Sequence, residues 1–129
     1  MAHATRFEDL EIWKMGREIA KETWLLTREE RWKRQFDLIN QMLRSSGSIP
    51  DNIAEGFERE GNKEFLQFLS IAKGSCGEYR SQLYRALDRE LLTEEEFEIR
   101  RTQAENLSGK IQRFMAAIRR SDLSGSKYK

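Results

Sequence analysis

The segment Ser48-Ile-Pro-Asp-Asn-Ile-Ala-Glu-Gly-Phe57 decides how many helices the chain forms. It holds Pro50, the one proline of the sequence. Proline inside a helix removes a hydrogen bond and crowds the preceding turn. Two outcomes are open: a break with a fresh start at Ser48, where Asp51 sits three residues on, or one continuous helix kinked at Pro50. Ile49, Ile53, Ala54 and Phe57 recur with helical spacing in either case, and the element ends near Glu60-Gly61.

Upstream, Thr27-Arg-Glu-Glu30 has the form of a capping box, in which a threonine hydroxyl and a glutamate three residues on satisfy each other's free N–H groups. A second helix is therefore expected to begin there and to turn Phe36, Ile39, Met42 and Leu43 inward. A first helix is expected from about Glu8 to Leu26, with Ile12, Trp13, Gly16, Ile19, Ala20 and Thr23 on its core face. Gly16 costs roughly 1 kcal/mol against alanine in a helix interior, which close approach of a neighbouring helix would offset.

Downstream, Asn62 reads as an N-cap, and Phe65, Phe68, Leu69, Ala72, Cys76, Tyr79, Leu83 and Leu87 form one apolar stripe. Cys76 lies in that stripe and reads as a small buried residue, while Gly74 and Gly77 point to tight packing at their level. Thr93-Glu-Glu-Glu96 is a second capping box, flanked by Leu92 and Phe97 at the spacing of a hydrophobic staple. The fourth helix it starts carries Ala104, Leu107, Ile111, Phe114, Met115 and Ile118 inward and ends near Arg120, before a flexible polar tail. The expected fold is all-α: an antiparallel up-down four-helix bundle, one domain over residues 1–129 with an ordered core of about 7–120 and flexible termini.

Apolar residues make up 38% of the chain and charged residues 35%, a ratio that suits amphipathic helices and argues against disorder. The net charge of +1 is no nucleic-acid footprint by itself. Its distribution is uneven: residues 88–98 are acidic, whereas Arg28–Arg34 and the stretch from Arg100 onward are basic. Cys76 is the one cysteine and His3 the one histidine, near the N-terminus. That excludes an intramolecular disulfide, a thiolate cluster, Cys–His nucleophile pairs and most zinc sites. No catalytic, metal or cofactor residue is assigned, and a non-enzyme is expected. Without a long apolar run or signal segment, the expected compartment is the cytoplasm, with no membrane partner.

The Ser48–Phe57 segment, with Asn62-Lys-Glu-Phe65, Ile71-Ala-Lys-Gly-Ser75 and Glu78, resembles the bacterial four-helix-bundle family whose members are encoded in intervening sequences of large-subunit ribosomal RNA genes. Phe7-Glu-Asp-Leu-Glu-Ile-Trp13 is similar to the usual start of that family, and Gln41 and Arg44 match its approach to the proline segment. The resemblance covers about residues 7 to 118. It implies a second helix that continues, kinked, through Pro50. It also implies a cyclic homopentamer. A diverged cousin is the accessory variability determinant of diversity-generating retroelements, a basic pentamer that binds nucleic acid and works with a reverse transcriptase. The near-neutral charge of this chain departs from that cousin.

Within the motif, Asn52 and Glu55 lie three apart on one face, as do Ser75 and Glu78, and Arg44 lies two turns before Asn52. With Ser48, Pro50 and Gly56 they read as a structural set, in which polar groups pair with each other and with backbone freed at Pro50. The functional alternative is a polar site between helices. Trp13, Trp24, Phe65, Phe68, Phe97 and Phe114 read as core. Trp32 stands among Arg31, Lys33 and Arg34, where it could stack on a base while the cations hold phosphate, or pack inward with its charged neighbours solvated. Arg113, Arg119 and Arg120 complete the basic positions for RNA or DNA, and a reverse transcriptase or other nucleoprotein is the partner the resemblance adds. The competing expectation is a scaffold that uses apolar residues off the stripes, such as Met15, Leu25, Leu66 and Ile71.

Overall fold

In a computed structural model, which describes residues 4–125, the chain forms four long helices and, among the described residues, no strand. They are α1 (Glu11–Thr27), α2 (Phe36–Glu58), α3 (Asn62–Asp88) and α4 (Glu94–Gly125). Single 3-10 turns at Phe7–Asp9 and Glu30–Trp32 precede α1 and α2. The first helix therefore starts three residues later than its periodicity indicates, because Glu8 and Asp9 belong to the leading turn. The fourth runs past Arg120 to Gly125, so residues 121–125 of the polar tail expected over 121–129 are helical, and 126–129 lie outside the described residues.

The break at Ser48 does not occur. α2 passes through Pro50 as one helix, although Pro50 offers no N–H to the carbonyl one turn back. Its neighbour accounts for the location. A Cβ built on Gly16 of α1 would lie 3.3 Å from Pro50 Cδ and 3.2 Å from Ile49 Cγ2, so α1 approaches α2 over a position without a side chain. Gly56 does the same for α3: a Cβ there would meet Phe68 Cβ at 2.6 Å. Gly74 and Gly77 do not. Nothing lies within 4 Å of a Cβ at either, so the tight packing expected at their level is absent.

Side-chain hydrogen bonds fix the register of α2 against α3. Asp37 meets Arg89, Gln41 meets Arg85, Ser45 meets Gln82 and Ser48 meets Ser75, so residue numbers fall along α3 as they rise along α2. Across α1 and α4, Glu11 pairs with Lys110 and Glu22 with Arg100. The core between these helices is built from Ile19, Leu26, Leu38, Met42, Ile53, Leu69, Leu83, Leu107 and Ile111, all buried. Burial of such side chains contributes about 1.5–3 kcal/mol each before chain entropy is set against it. Inside this core Tyr79 OH and Thr23 Oγ1 lie 2.7 Å apart, and Thr23 also donates to the Ile19 carbonyl, so the buried phenol is satisfied.

The two capping boxes part company. At Thr93 both halves form: the Glu96 N–H donates to Thr93 Oγ1 at 3.1 Å and the Thr93 N–H donates to Glu96 Oε1 at 2.8 Å. Leu92 and Phe97 are both buried beside it. Thr27 caps nothing. It is the last residue of α1, buried, and its hydroxyl donates backward to the Thr23 and Trp24 carbonyls. Asn62 is likewise the first helical residue of α3, with Gly61 at φ 94 in the N-cap position. A left-handed φ favours glycine, which explains the residue chosen there.

Candidate nucleic-acid interface

Trp32, the candidate stacking ring, is fully buried, which is the inward-packing alternative. The 3-10 turn Glu30–Trp32 swings it into the core while leaving Arg31, Lys33 and Arg34 outside. Among the described residues its Nε1 is buried without a hydrogen-bond partner, an uncommon state for an indole. Its role as an exposed platform is thereby excluded.

Arg31 is not a free cation either. Its guanidinium holds both oxygens of Glu96, at 2.8 and 2.6 Å, and its Nε donates to Glu29 Oε1 at 3.0 Å. That fork binds the loop before α2 to the capping box of α4. The Arg31 guanidinium and the Thr93 N–H together hold the Glu96 carboxyl down at about 2. Lys33 sits 3.8 Å from Glu30, and Arg34 takes a left-handed φ of 71 as the chain turns into α2. Arg113, Arg119 and Arg120 are exposed toward the far end of α4. Arg119 follows Glu96 by twenty-three residues, about 35 Å along a helix axis. The basic positions expected to act together therefore fall into two groups toward opposite ends of α4.

The motif residues gather only in part. Asn52 Nδ2 donates to the Ser48 carbonyl and to Ser48 Oγ, both at 2.8 Å, and Ser75 Oγ donates to Ser48 Oγ at 2.9 Å. This chain of polar contacts joins α3 to α2 beside Pro50. Glu55 faces away, paired with Arg59, while Glu78 makes a long 3.5 Å contact with Gln82 and Arg44 stays exposed. Among the described residues no group of three or more histidine, cysteine, aspartate or glutamate side chains could hold a metal ion. Burial pushes the Cys76 thiol up to about 12, so it is a protonated core group at neutral pH.

Two other aromatics depart from expectation in the opposite direction. Trp24 is 52% exposed and Phe36 71% exposed, although both are expected inside. Trp24 stands on the face of α1 opposite Ile19 and Leu26, beside Lys21 and Arg28. A strict count of three-and-four spacing through Ile12, Ile19, Thr23 and Leu26 leaves it off the core face, and that is the signal the sequence holds. Phe36 opens α2, where no preceding turn covers it.

An all-α bundle with a dense ion-pair surface and no metal cluster among its described residues defines the class of the chain. The family model described as 23S rRNA-intervening sequence protein matches residues 8–113, and the chain belongs to that family. Among proteins of curated function none matches it. Among solved structures it is similar to a protein with unknown function from the S23 ribosomal protein family of Bacteroides thetaiotaomicron. The two are 21% identical with a TM-score of 0.72, over 81% of this chain and 97% of that one, a likeness of fold. No helix, among the described residues, is long and apolar enough to cross a membrane.

Proposed function

We propose that the protein is a non-catalytic helical-bundle module that assembles into a ring, pentameric as the family resemblance implies, and engages nucleic acid or a nucleoprotein such as a reverse transcriptase complex. The observation that supports this most directly is the set of outward cations that the fold leaves without an ion-pair partner. Arg44, Arg113, Arg119 and Arg120 are exposed, and none has a carboxylate within ion-pair distance among the described residues. Glu105, about two turns before Arg113, is held by Arg101 and Arg80. Repetition of such groups around a ring adds weak phosphate contacts into useful avidity.

The test is fluorescence anisotropy with labelled RNA and DNA across a salt series, alongside light scattering. Binding at low salt that falls steeply as salt rises, from a particle several times the 15.3 kDa chain mass, is the expected result. No binding at low salt by an intact oligomer overturns the nucleic-acid reading. One observation favours the scaffold alternative: Phe36, Ile71 and Ile99 are more than half exposed, and apolar side chains of that size suit protein contact better than phosphate.

A further inference from the structure

The outward face of α1 carries more free positive charge than either group of basic residues toward the ends of α4. Lys14, Arg17, Lys21, Trp24 and Arg28 recur at intervals of three and four residues, which aligns them on one stripe, and all five are exposed. Among the described residues none of these four cations has a carboxylate within ion-pair distance. Two of the acidic residues of α1 have other partners. Glu11 binds Lys110, and Glu22 lies 3.6 Å from Arg100. Glu18, the acid at the edge of the stripe, lies against Glu22, whose carboxyl is raised by burial first and by this neighbour second.

Trp24 gives the stripe a second kind of contact. Its ring is half exposed, and the Arg28 guanidinium lies 5.3 Å from its centroid, which steadies the indole from one side. The fold does not require the ring: it lies outside the buried core. From Lys14 to Arg28 the stripe runs about 21 Å at 1.5 Å per residue, with no carboxylate on the line. A duplex hides its base faces from such a ring, whereas a single strand offers them while its phosphates follow the cations. An acidic peptide would use the cations but would have no planar group for the indole.

We infer that this stripe is a track for single-stranded nucleic acid, with Lys14, Arg17, Lys21 and Arg28 on successive phosphates and Trp24 stacked on one base. The inference rests on the nucleic-acid reading above and locates it. At this length the track covers about four to six nucleotides per subunit, the lower end of known single-strand sites.

The experiment compares the intact protein with Trp24→Ala, the double variant Lys14→Gln/Lys21→Gln, and the α4 triple variant Arg113→Gln/Arg119→Gln/Arg120→Gln. Probes are a labelled single-stranded ten-nucleotide RNA, its duplex and polyglutamate. All substituted side chains are exposed, and circular dichroism checks that each variant is folded. Trp24→Ala should weaken single-strand binding on the order of tenfold while sparing any duplex binding. The double lysine variant should lower the salt slope by about 1.4, at roughly 0.7 for each phosphate no longer neutralised. Binding that ignores both α1 variants but disappears in the α4 triple variant overturns this assignment and leaves the nucleic-acid reading standing. So does a preference for duplex or for polyglutamate. Failure of the unsubstituted protein to bind either RNA form at low salt overturns both.

Discussion

Trp32 lies buried between charged sequence neighbours, and Trp24 stands exposed where a core position is expected. Trp32, flanked by arginine and lysine in a short connection, is the largest fully buried side chain among the described residues, whereas Trp24, in the second half of an amphipathic helix, is half exposed. A 3-10 turn presents its three residues about 120° apart, so one side chain can point inward while both of its sequence neighbours remain in water. In α1 each residue advances about 100° around the axis, so the single step from buried Thr23 carries Trp24 outward. Charge in the neighbouring sequence therefore predicts little about burial in a turn, and composition predicts little in a helix. Angle decides both.

Three like pairs of residues, one inside and one outside, turn this contrast into measurements. Trp32→Ala should cost about 3–5 kcal/mol in chemical denaturation, as expected for emptying a large core site. Trp24→Ala should stay within about 0.5 kcal/mol. Similar losses from the two would break the distinction. Among glycines, Gly56→Ala should cost about 1–3 kcal/mol, because the new methyl meets Phe68 Cβ at a distance real Cβ atoms do not adopt.

The threonines give the next effect. Thr93→Ala should cost about 1 kcal/mol through loss of the α4 cap, and Thr27 offers no comparable cap to lose. The same corner sets an acid response. The Glu96 carboxyl has a folded value of about 2 against an ordinary 4.5. A depressed folded value stabilises fully above the unfolded one, so this contribution is complete above about 4.5 and disappears as the pH falls through 2. Glu96→Gln should be less stable than the parent at pH 6, with the gap closing toward pH 2; a gap constant with pH would sever the Arg31–Glu96 link from the ionisation. Smallest of all, Gly74→Ala should stabilise by up to about 1 kcal/mol through helix propensity, since its Cβ site is open. A loss at Gly74 would show that a second chain packs there.

The helices and most of the core are legible in the sequence because long periodic stripes carry them. Leu69, Ala72, Cys76, Tyr79 and Leu83 are buried as their spacing requires. The capping box at Thr93 is legible because it stands where a turn has already ended the previous helix. Thr27-Arg-Glu-Glu30 has the same pattern, but α1 has not yet ended there, and its own carbonyls capture the hydroxyl. A local motif carries no sign of whether the preceding element has finished. The outcome at Pro50 is open to sequence for a related reason: the helix packed against it meets it through Gly16, thirty-four residues away. The candidate interface is least legible. Arg31 looks like a free cation in sequence, and only the fold brings Glu96 to it from sixty-five residues away.

Cys76 sits among the innermost residues of α3, with no second cysteine to compete with it. A thiol reagent in solution can reach it only when the helices separate. The labelling rate is thus a clock for opening of the bundle, readable in the unmodified protein. Followed across protein concentration, it would slow wherever a second chain holds the bundle closed.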